Sequence, residues 1–280
     1  MNPTISFLTD YGLADEFVGV VKSVLRRLAP EALVVDLTHD IPPHDIRAGS
    51  LALRRAVSWL APGVVLGVVD PGVGTARRAL AVEPARGDSL RFVAPDNGLL
   101  MPALAVLGGA ARAVRLPPAR YPVFSDPAVG GGPAAGPTFD GRDVFAPAAA
   151  ALARGANLDD LGEEVDPASL VPGPQSAPRP LPDGVACDVL WVDRFGNAQL
   201  DVPPSELDRL GAAVEVHLAG RPAARARRAR AFADLAPGEL GLVVDSSGLP
   251  ALVLDRAPAA SRLGISPGTE VVLRRPVGPG

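Results

Sequence analysis

The sequence predicts an α/β N-terminal domain built on a mainly parallel sheet, followed by a small all-β, barrel-like C-terminal domain. Three observations lead there. Up to about residue 174, short apolar runs alternate with segments whose apolar residues recur at helical spacing. Beyond residue 184, strand-like runs follow one another with one short helical pattern among them. Between the two regions, Pro172 to Pro182 (PGPQSAPRPLP) has the composition of a linker. The expected division is therefore 1–174 and 184–280, joined by 175–183.

Taken in order, Ile5–Leu8, Leu33–Val35, Val64–Val69 and Phe92–Ala94 are the apolar runs of the first region. Phe17–Leu28 and Ile46–Leu60 place apolar residues on one helical face with arginines on the other, which completes βαβ units. Ser125 to Pro137 (SDPAVGGGPAAGP) has no apolar period and reads as a surface loop. In the second region Val185–Val192, Val214–Leu218, Leu240–Val244, Ala251–Leu254 and Glu270–Leu273 read as strands, and Ser205–Leu210 as the helix.

Of 280 residues, 48% are apolar and 21% charged, enough to bury a core in either region. The charge sum of −4 gives no net basic field for nucleic acid or an anionic membrane. The lone Cys187 excludes an internal disulfide and a cysteine-based zinc site. With no apolar run long enough to span a membrane and no secretion-signal pattern at the start, a cytoplasmic location is expected.

Polar residues gather where strands end. Asp10, Asp36, Asp70 and Asp96 each follow an apolar run. In an open parallel sheet, ligands bind outside the carboxyl ends of the strands, so four such carboxylates can converge on one pocket. Each alone reads equally as a turn former or helix cap, Asp36 most readily, because LTHDIPPHD supplies its own turn chemistry. DPGVGTARR (Asp70–Arg78) sets a carboxylate before two glycines and two guanidinium groups after them, fit for close approach to a ligand or for a tight turn.

Several signatures are missing. There is no Gly-Lys dipeptide for a P-loop, no G-x-G-x-x-G after the first strand and no G-x-S-x-G. His39 and His44 share THDIPPHD with Asp40 and Asp45, but the paired prolines favour an ordered turn that caps a helix near Ile46, so no metal is expected. His217, in VEVHLAG, reads as a surface strand residue. In the second region, Asp193, Phe195 and Asn197 of WVDRFGNAQLD offer a carboxylate, a stacking ring and an amide that matches an adenine edge, or simply form a hairpin turn. Ser246 and Ser247 of VVDSSGLP read as a polar turn or as donors to a ligand carboxylate.

As a set, FLTDYGLADEFVG, VVDLTHDIPPHDIRAGS, VVDPGVGTARRALAV, FVAPDNGLL, TFDGRDVFAPAAA, DRFGNAQLD and the serine turn resemble, in this order, the S-adenosyl-L-methionine hydroxide adenosyltransferase family, related to enzymes that fluorinate or chlorinate the same molecule. The resemblance runs from about residue 4 to 275. It implies an N-terminal α/β domain, a C-terminal β-barrel, and hydrolysis of S-adenosyl-L-methionine to adenosine and L-methionine by attack of water or hydroxide at C5′. S-adenosyl-L-methionine is then substrate, and no cofactor is expected. It further implies homotrimers with sites at subunit interfaces.

Carried over by position, the resemblance gives Asp10 the ribose hydroxyls, and gives Asp70 and Arg77 the nucleophilic water. Asp193 and Ser246, with Ser247 beside it, face the methionyl group, while Phe195 and Asn197 hold adenine. Asp70 stands where halogenating relatives have Tyr, which favours the water-using branch. The family's TF-H-GRD reads TF-D-GRD in this chain, so Asp140 replaces a histidine. Three readings follow: Asp140 orients or deprotonates the water, the protein binds its ligand with weak or no turnover, or the nucleophile differs.

Overall fold

The computed structural model describes residues 2–87, 89–117, 136, 138–174 and 177–276. The Ser125–Pro137 stretch lies outside the described residues, save for 136. The chain divides into two compact units, Met1–Pro174 and Gln175–Gly280.

The first unit runs β1 (Thr4–Thr9), α1 (Phe17–Leu28), β2 (Leu33–Thr38), α2 (Ile46–Ala56), β3 (Gly63–Val68), β4 (Ala79–Pro84), β5 (Leu90–Pro95), α3 (Met101–Val106), β6 (Ala110–Leu116), α4 (Ala146–Ala153) and β7 (Glu163–Val165). These strands form one sheet in the order β2-β1-β3-β5-β4-β6-β7. The β2, β1, β3 and β5 strands pair in parallel, and antiparallel pairing begins at β4. From β1 the chain passes to β2 on one side, then crosses back to β3 on the other. The strand order thus reverses between β1 and β3, whose last residues Thr9 and Val68 are register partners. Such a switch point opens a crevice at the carboxyl ends of the two strands.

The elements follow from their residues. Every residue of β1 is buried, as expected of a central strand covered on both faces. Helix α1 buries Val18, Val21, Val24 and Leu25 and ends on Arg26 and Arg27, which complement its carbonyl end. Asp45 caps α2 by accepting the Ala48 N–H at 2.8 Å. The helix expected over 46–60 stops at Ala56 and continues as a 3-10 turn, Val57–Trp59, ahead of Pro62. Strands β4 and β6 were not expected from sequence: ALAVEP and AARAVRL are rich in alanine and interrupted by charge, and cross-strand pairing overrides weak propensity.

Not every strand-end aspartate faces the crevice. Asp96, after β5, accepts from Arg78 Nε at 2.6 Å and from the Val171 N–H at 2.9 Å, and Arg78 continues to the Ser169 hydroxyl at 3.0 Å. Asp96 therefore clamps the Pro167–Val171 segment to the sheet. Asp36 pairs with Lys22 at 2.8 Å and lies 3.2 Å from His39 Nε2. Burial alone would raise its pKa, but these two partners outweigh burial and hold it below the usual carboxylate range.

The second unit comprises β8 (Arg179–Leu181), β9 (Gly184–Val192), β10 (Ala198–Leu200), α5 (Pro204–Asp208), β11 (Ala213–His217), β12 (Ala224–Arg228), β13 (Leu240–Val244), β14 (Pro250–Leu254), α6 (Ala259–Leu263) and β15 (Glu270–Arg274). Seven strands close a barrel in the order β9-β10-β14-β13-β12-β11-β15, and β8 pairs outside it on β9. So part of the stretch expected as a linker is strand. The β12 strand escaped the sequence because its inward residue, fully buried Ala226, is small and its neighbours are arginines. His217 lies on β11 beside Glu215, part-exposed as expected. Burial first, then Asp201, Asp188 and Glu270, push the Cys187 thiol up to about 12, so it stays protonated and unreactive.

Replacing Asp96 by Ala leaves Arg78 and the Val171 N–H without their acceptor. Unfolding free energy in urea should fall by about 3 kcal/mol; a change below about 0.5 kcal/mol, the range of ordinary surface substitutions, would refute the clamp.

Candidate active site

The crevice at the switch point is a cavity of about 250 Å³, lined among others by Asp10, Tyr11, His44, Asp70, Phe139 and Asp140. Asp10 leaves β1 and Asp70 follows β3, so adjacent parallel strands deliver the two carboxylates side by side. Asp140 arrives from the opposite part of the chain, at the head of a widened π-type turn, Gly141–Phe145, that leads into α4. Turns of this kind recur at functional sites because they re-aim side chains within a helix.

Arg77 joins two of these groups. Its Nε lies 2.9 and 3.0 Å from the Asp70 carboxylate oxygens, its Nη2 also reaches Asp70 Oδ2, and the same Nη2 donates to Asp140 Oδ2 at 2.5 Å. The guanidinium also lies over the Phe145 ring, 5.1 Å from its centroid. The side chains of Asp70, Arg77 and Asp140 are 6%, 11% and 22% exposed, so their charges interact with little solvent screening. Burial alone would lower the Arg77 pKa, but Asp70 and then Asp140 outweigh it and raise it.

The turn between β3 and β4 builds this contact. Gly74 takes φ +75°, open to glycine at no steric cost. Thr75 Oγ1 donates to the Gly72 carbonyl at 2.6 Å and accepts the Arg77 N–H at 3.3 Å. A Cβ on Gly72 would come within 3.1 Å of Arg77 Cγ, so glycine clears the path by which Arg77 folds back onto Asp70. DPGVGTARR is thus a tight strand-to-strand turn, but its arginines are not solvated: Arg77 turns to the cavity and Arg78 to Asp96.

Asp10 is aimed by THDIPPHD. Its Oδ2 accepts the His44 N–H at 2.8 Å, and His44 is held at φ +66°, where a non-glycine residue is strained by about 1–2 kcal/mol. His39, by contrast, is turned inward: Nδ1 lies 2.8 Å from Thr9 Oγ1, and the ring packs edge-on against Phe7. Among the described residues no three His, Cys, Asp or Glu side chains are grouped as a metal site requires.

Tyr11, Phe17 and Phe139 form an aromatic wall with centroid separations of 5.2 to 6.0 Å. Arg142 of the GRD stretch pairs with Asp143 and lies over the Phe139 ring, 5.2 Å from its centroid, so this pair braces the aromatic wall. Burial first, then Asp10, Asp70 and Asp140, raise the Tyr11 pKa far above its usual value, with Arg77 opposing. Sequence reasoning passed over Tyr11 and Phe139 as site residues and could not place His44, although all three lie in the motifs that carry the resemblance.

Asp193, Phe195, Asn197, Ser246 and Ser247 lie in the second unit, on two neighbouring turns. Asp193 Oδ1 accepts the N–H groups of Phe195 and Asn197 at 2.9 Å each, and its Oδ2 accepts Asn197 Nδ2 at 2.8 Å. The carboxylate therefore shapes the turn. Phe195 is 72% exposed, its ring face open for stacking. Asp245 organises the serine turn by accepting the Ser247 and Leu249 N–H groups, and buried Gln199 of β10 donates to Asp245 at 2.5 Å, joining the two turns.

The sequence model of the SAM hydroxide adenosyltransferase N-terminal domain matches residues 5–162, and that of the C-terminal domain matches residues 187–272. The chain is 48% identical over 266 residues to a protein named (R)-S-adenosyl-L-methionine hydrolase from Salinispora tropica, covering 95% of each chain. It is 42% identical to the protein of that name from Thermus thermophilus, covering 96% of this chain and 98% of the other. A fluorinase from Actinoplanes sp. is more distant, at 25% identity over 98% of both. A crystal structure of a conserved protein from Thermotoga maritima superposes with a TM-score of 0.86 at 33% identity, over 97% of this chain and 100% of the other.

Two outcomes follow from the geometry. A Cβ on Gly141 would lie 2.1 Å from the Tyr11 hydroxyl, so Gly141→Ala should displace the ring and lower ligand affinity at least tenfold by calorimetry; unchanged affinity would contradict this packing. Because the Tyr11 shift is upward, its ring stays protonated where an ordinary tyrosine, with a pKa near 10, ionises. With Tyr121 changed to Phe, ultraviolet titration to about pH 11 should show no tyrosinate; a transition near pH 10 would contradict the burial and charge described.

Proposed function

Because the chain belongs to the SAM hydroxide adenosyltransferase family, we infer that it hydrolyses S-adenosyl-L-methionine to adenosine and L-methionine. The observation that carries this reading is the Asp70–Arg77–Asp140 cluster in the switch-point cavity. Water attacks C5′, the C5′–S bond breaks with its electron pair going to sulfur, and one proton leaves the attacking oxygen. A sulfonium departs as a neutral thioether, so no acid is needed at the leaving atom. The enzyme's task is to hold the nucleophile in line and limit competing solvent.

In this reading Asp70 accepts a hydrogen bond from the water and Arg77 fixes Asp70. Asp140, on the same guanidinium, is a second acceptor and takes the released proton where the family has histidine. Asp10 binds the ribose hydroxyls. Phe195 stacks on adenine, Asn197 meets its edge, and Asp193, Ser246 and Ser247 hold the methionyl group. S-adenosyl-L-methionine is substrate, and no separate cofactor is invoked. At about 250 Å³ the cavity is smaller than a pocket that encloses a ligand of this size. That supports a site completed by further residues, and in this reading a neighbouring copy in a homotrimer supplies those of the second unit. Among the described residues no helix is long and apolar enough to cross a membrane, and we place the protein in the cytoplasm.

Purified protein given the (R) and (S) sulfonium epimers separately should release adenosine, read by chromatography. None above the buffer blank, with binding retained, would make it a binding protein. Asp70→Asn should lower kcat at least a hundredfold with little change in KM and an unchanged urea midpoint; a loss of kcat below tenfold would remove Asp70 from the water site. Asp140→His should shift the pH–rate profile toward neutrality, imidazole titrating near 6.5. A large gain in kcat on restoring His would show that Asp140 is not a competent base. Sedimentation at assay concentrations should give three chains; a monomer with full activity would refute the shared site.

A further inference from the structure

The cavity holds more negative charge than its positive partner can offset. Asp10, Asp70 and Asp140 all line it, while Arg77 contributes one positive charge shared between two of them. In a cavity of about 250 Å³ a bound atom lies within the ~8 Å over which salt screens charge at physiological ionic strength, and the burial of Asp70 and Asp140 weakens that screening further.

We propose that Asp140 is a specificity-determining residue: its carboxylate makes the cavity favour a ligand carrying positive charge at the atom bonded to C5′ over the same ligand with a neutral thioether there. The proposal rests on the reading of this cavity as the adenosyl site. Asp70 and Arg77 alone form an approximately neutral pair, and Asp10, which keeps its charge while accepting the His44 N–H, contributes equally whatever residue stands at position 140. Asp140 adds the charge that a neutral imidazole at this position would not. A sulfonium is drawn in by that excess, and the hold disappears when C–S cleavage turns the sulfur into an uncharged thioether. The substitution therefore separates substrate from thioether by charge at the step where their shapes are nearly the same.

The test uses two adenosyl probes that lack a scissile sulfonium. Sinefungin has a carbon in place of the sulfur and carries an ammonium on it where the sulfonium has its methyl, one bond from the position of the sulfonium charge, and S-adenosylhomocysteine carries a neutral sulfur. Calorimetry on the intact protein should show sinefungin binding at least tenfold more tightly, the ratio falling at least threefold in Asp140→Asn and persisting in Asp140→Glu. Wild-type affinities within twofold of each other, or an unchanged ratio in Asp140→Asn, would overturn the proposal. Should the Asn variant fail to fold, the wild-type ratio measured from low to molar salt decides: a fall supports the proposal and a flat ratio overturns it. Binding of neither probe by a preparation that releases adenosine overturns this inference alone. Without adenosine release it overturns the functional reading as well.

Discussion

Two carboxylates side by side in a small, poorly hydrated cavity drive one of them to take up a proton unless a cation lies between them, and Arg77 is placed to be that cation for Asp70 and Asp140. Its fork meets Asp70 through Nε and Nη2 and spends the other Nη2 hydrogen on Asp140, so one planar group sets the separation of both acids. Asp70 comes from the end of a central strand and Asp140 from the head of a helix some seventy residues later. Nothing else described in the first unit bridges these two side chains. The order of the site thus depends on one side chain, supported by the Phe145 ring and by the Thr75 turn.

The sheet topology explains why this happens between β1 and β3. A reversal of strand order leaves a gap that no crossover helix covers, and parallel strands point their carboxyl ends into it. The elements around the gap serve the same end. The Pro-Pro turn holds His44 in a strained conformation that hands its N–H to Asp10, and Asp45 then starts α2. Inward-facing His39 secures Thr9, the last residue of β1, through a 2.8 Å contact.

Much of this was legible from residues. Periodicity located α1 to its ends, and it found the parallel strands because Val and Ile runs bounded by Asp and Pro admit few alternatives. The strand-end aspartates pointed to the crevice, but pattern alone could not tell Asp70 from Asp96. Their fates are decided by which arginine reaches which acid, a three-dimensional fact. Strand β12 was hidden because Ala226 alone fills its inward position, and β4 and β6 because alanines and the charged Glu83, Arg112 and Arg115 interrupt their few Leu and Val residues, so no strong apolar beat appears in the sequence. Tyr11 and His44 were hidden because a single chain does not reveal which neighbours of a motif aspartate turn the same way.

The connection between β3 and β4 also acts as a ruler. Arg77 and Arg78 are consecutive, yet their side chains reach different partners, one Asp70 and Asp140 and the other Asp96 and Ser169. Both ion-pair systems, the one at the cavity and the architectural one, thus depend on the number of residues between Asp70 and Ala79. An insertion or deletion there would move an arginine off its partner while leaving the composition of the turn almost untouched. Its length, more than its chemistry, is the information this segment stores.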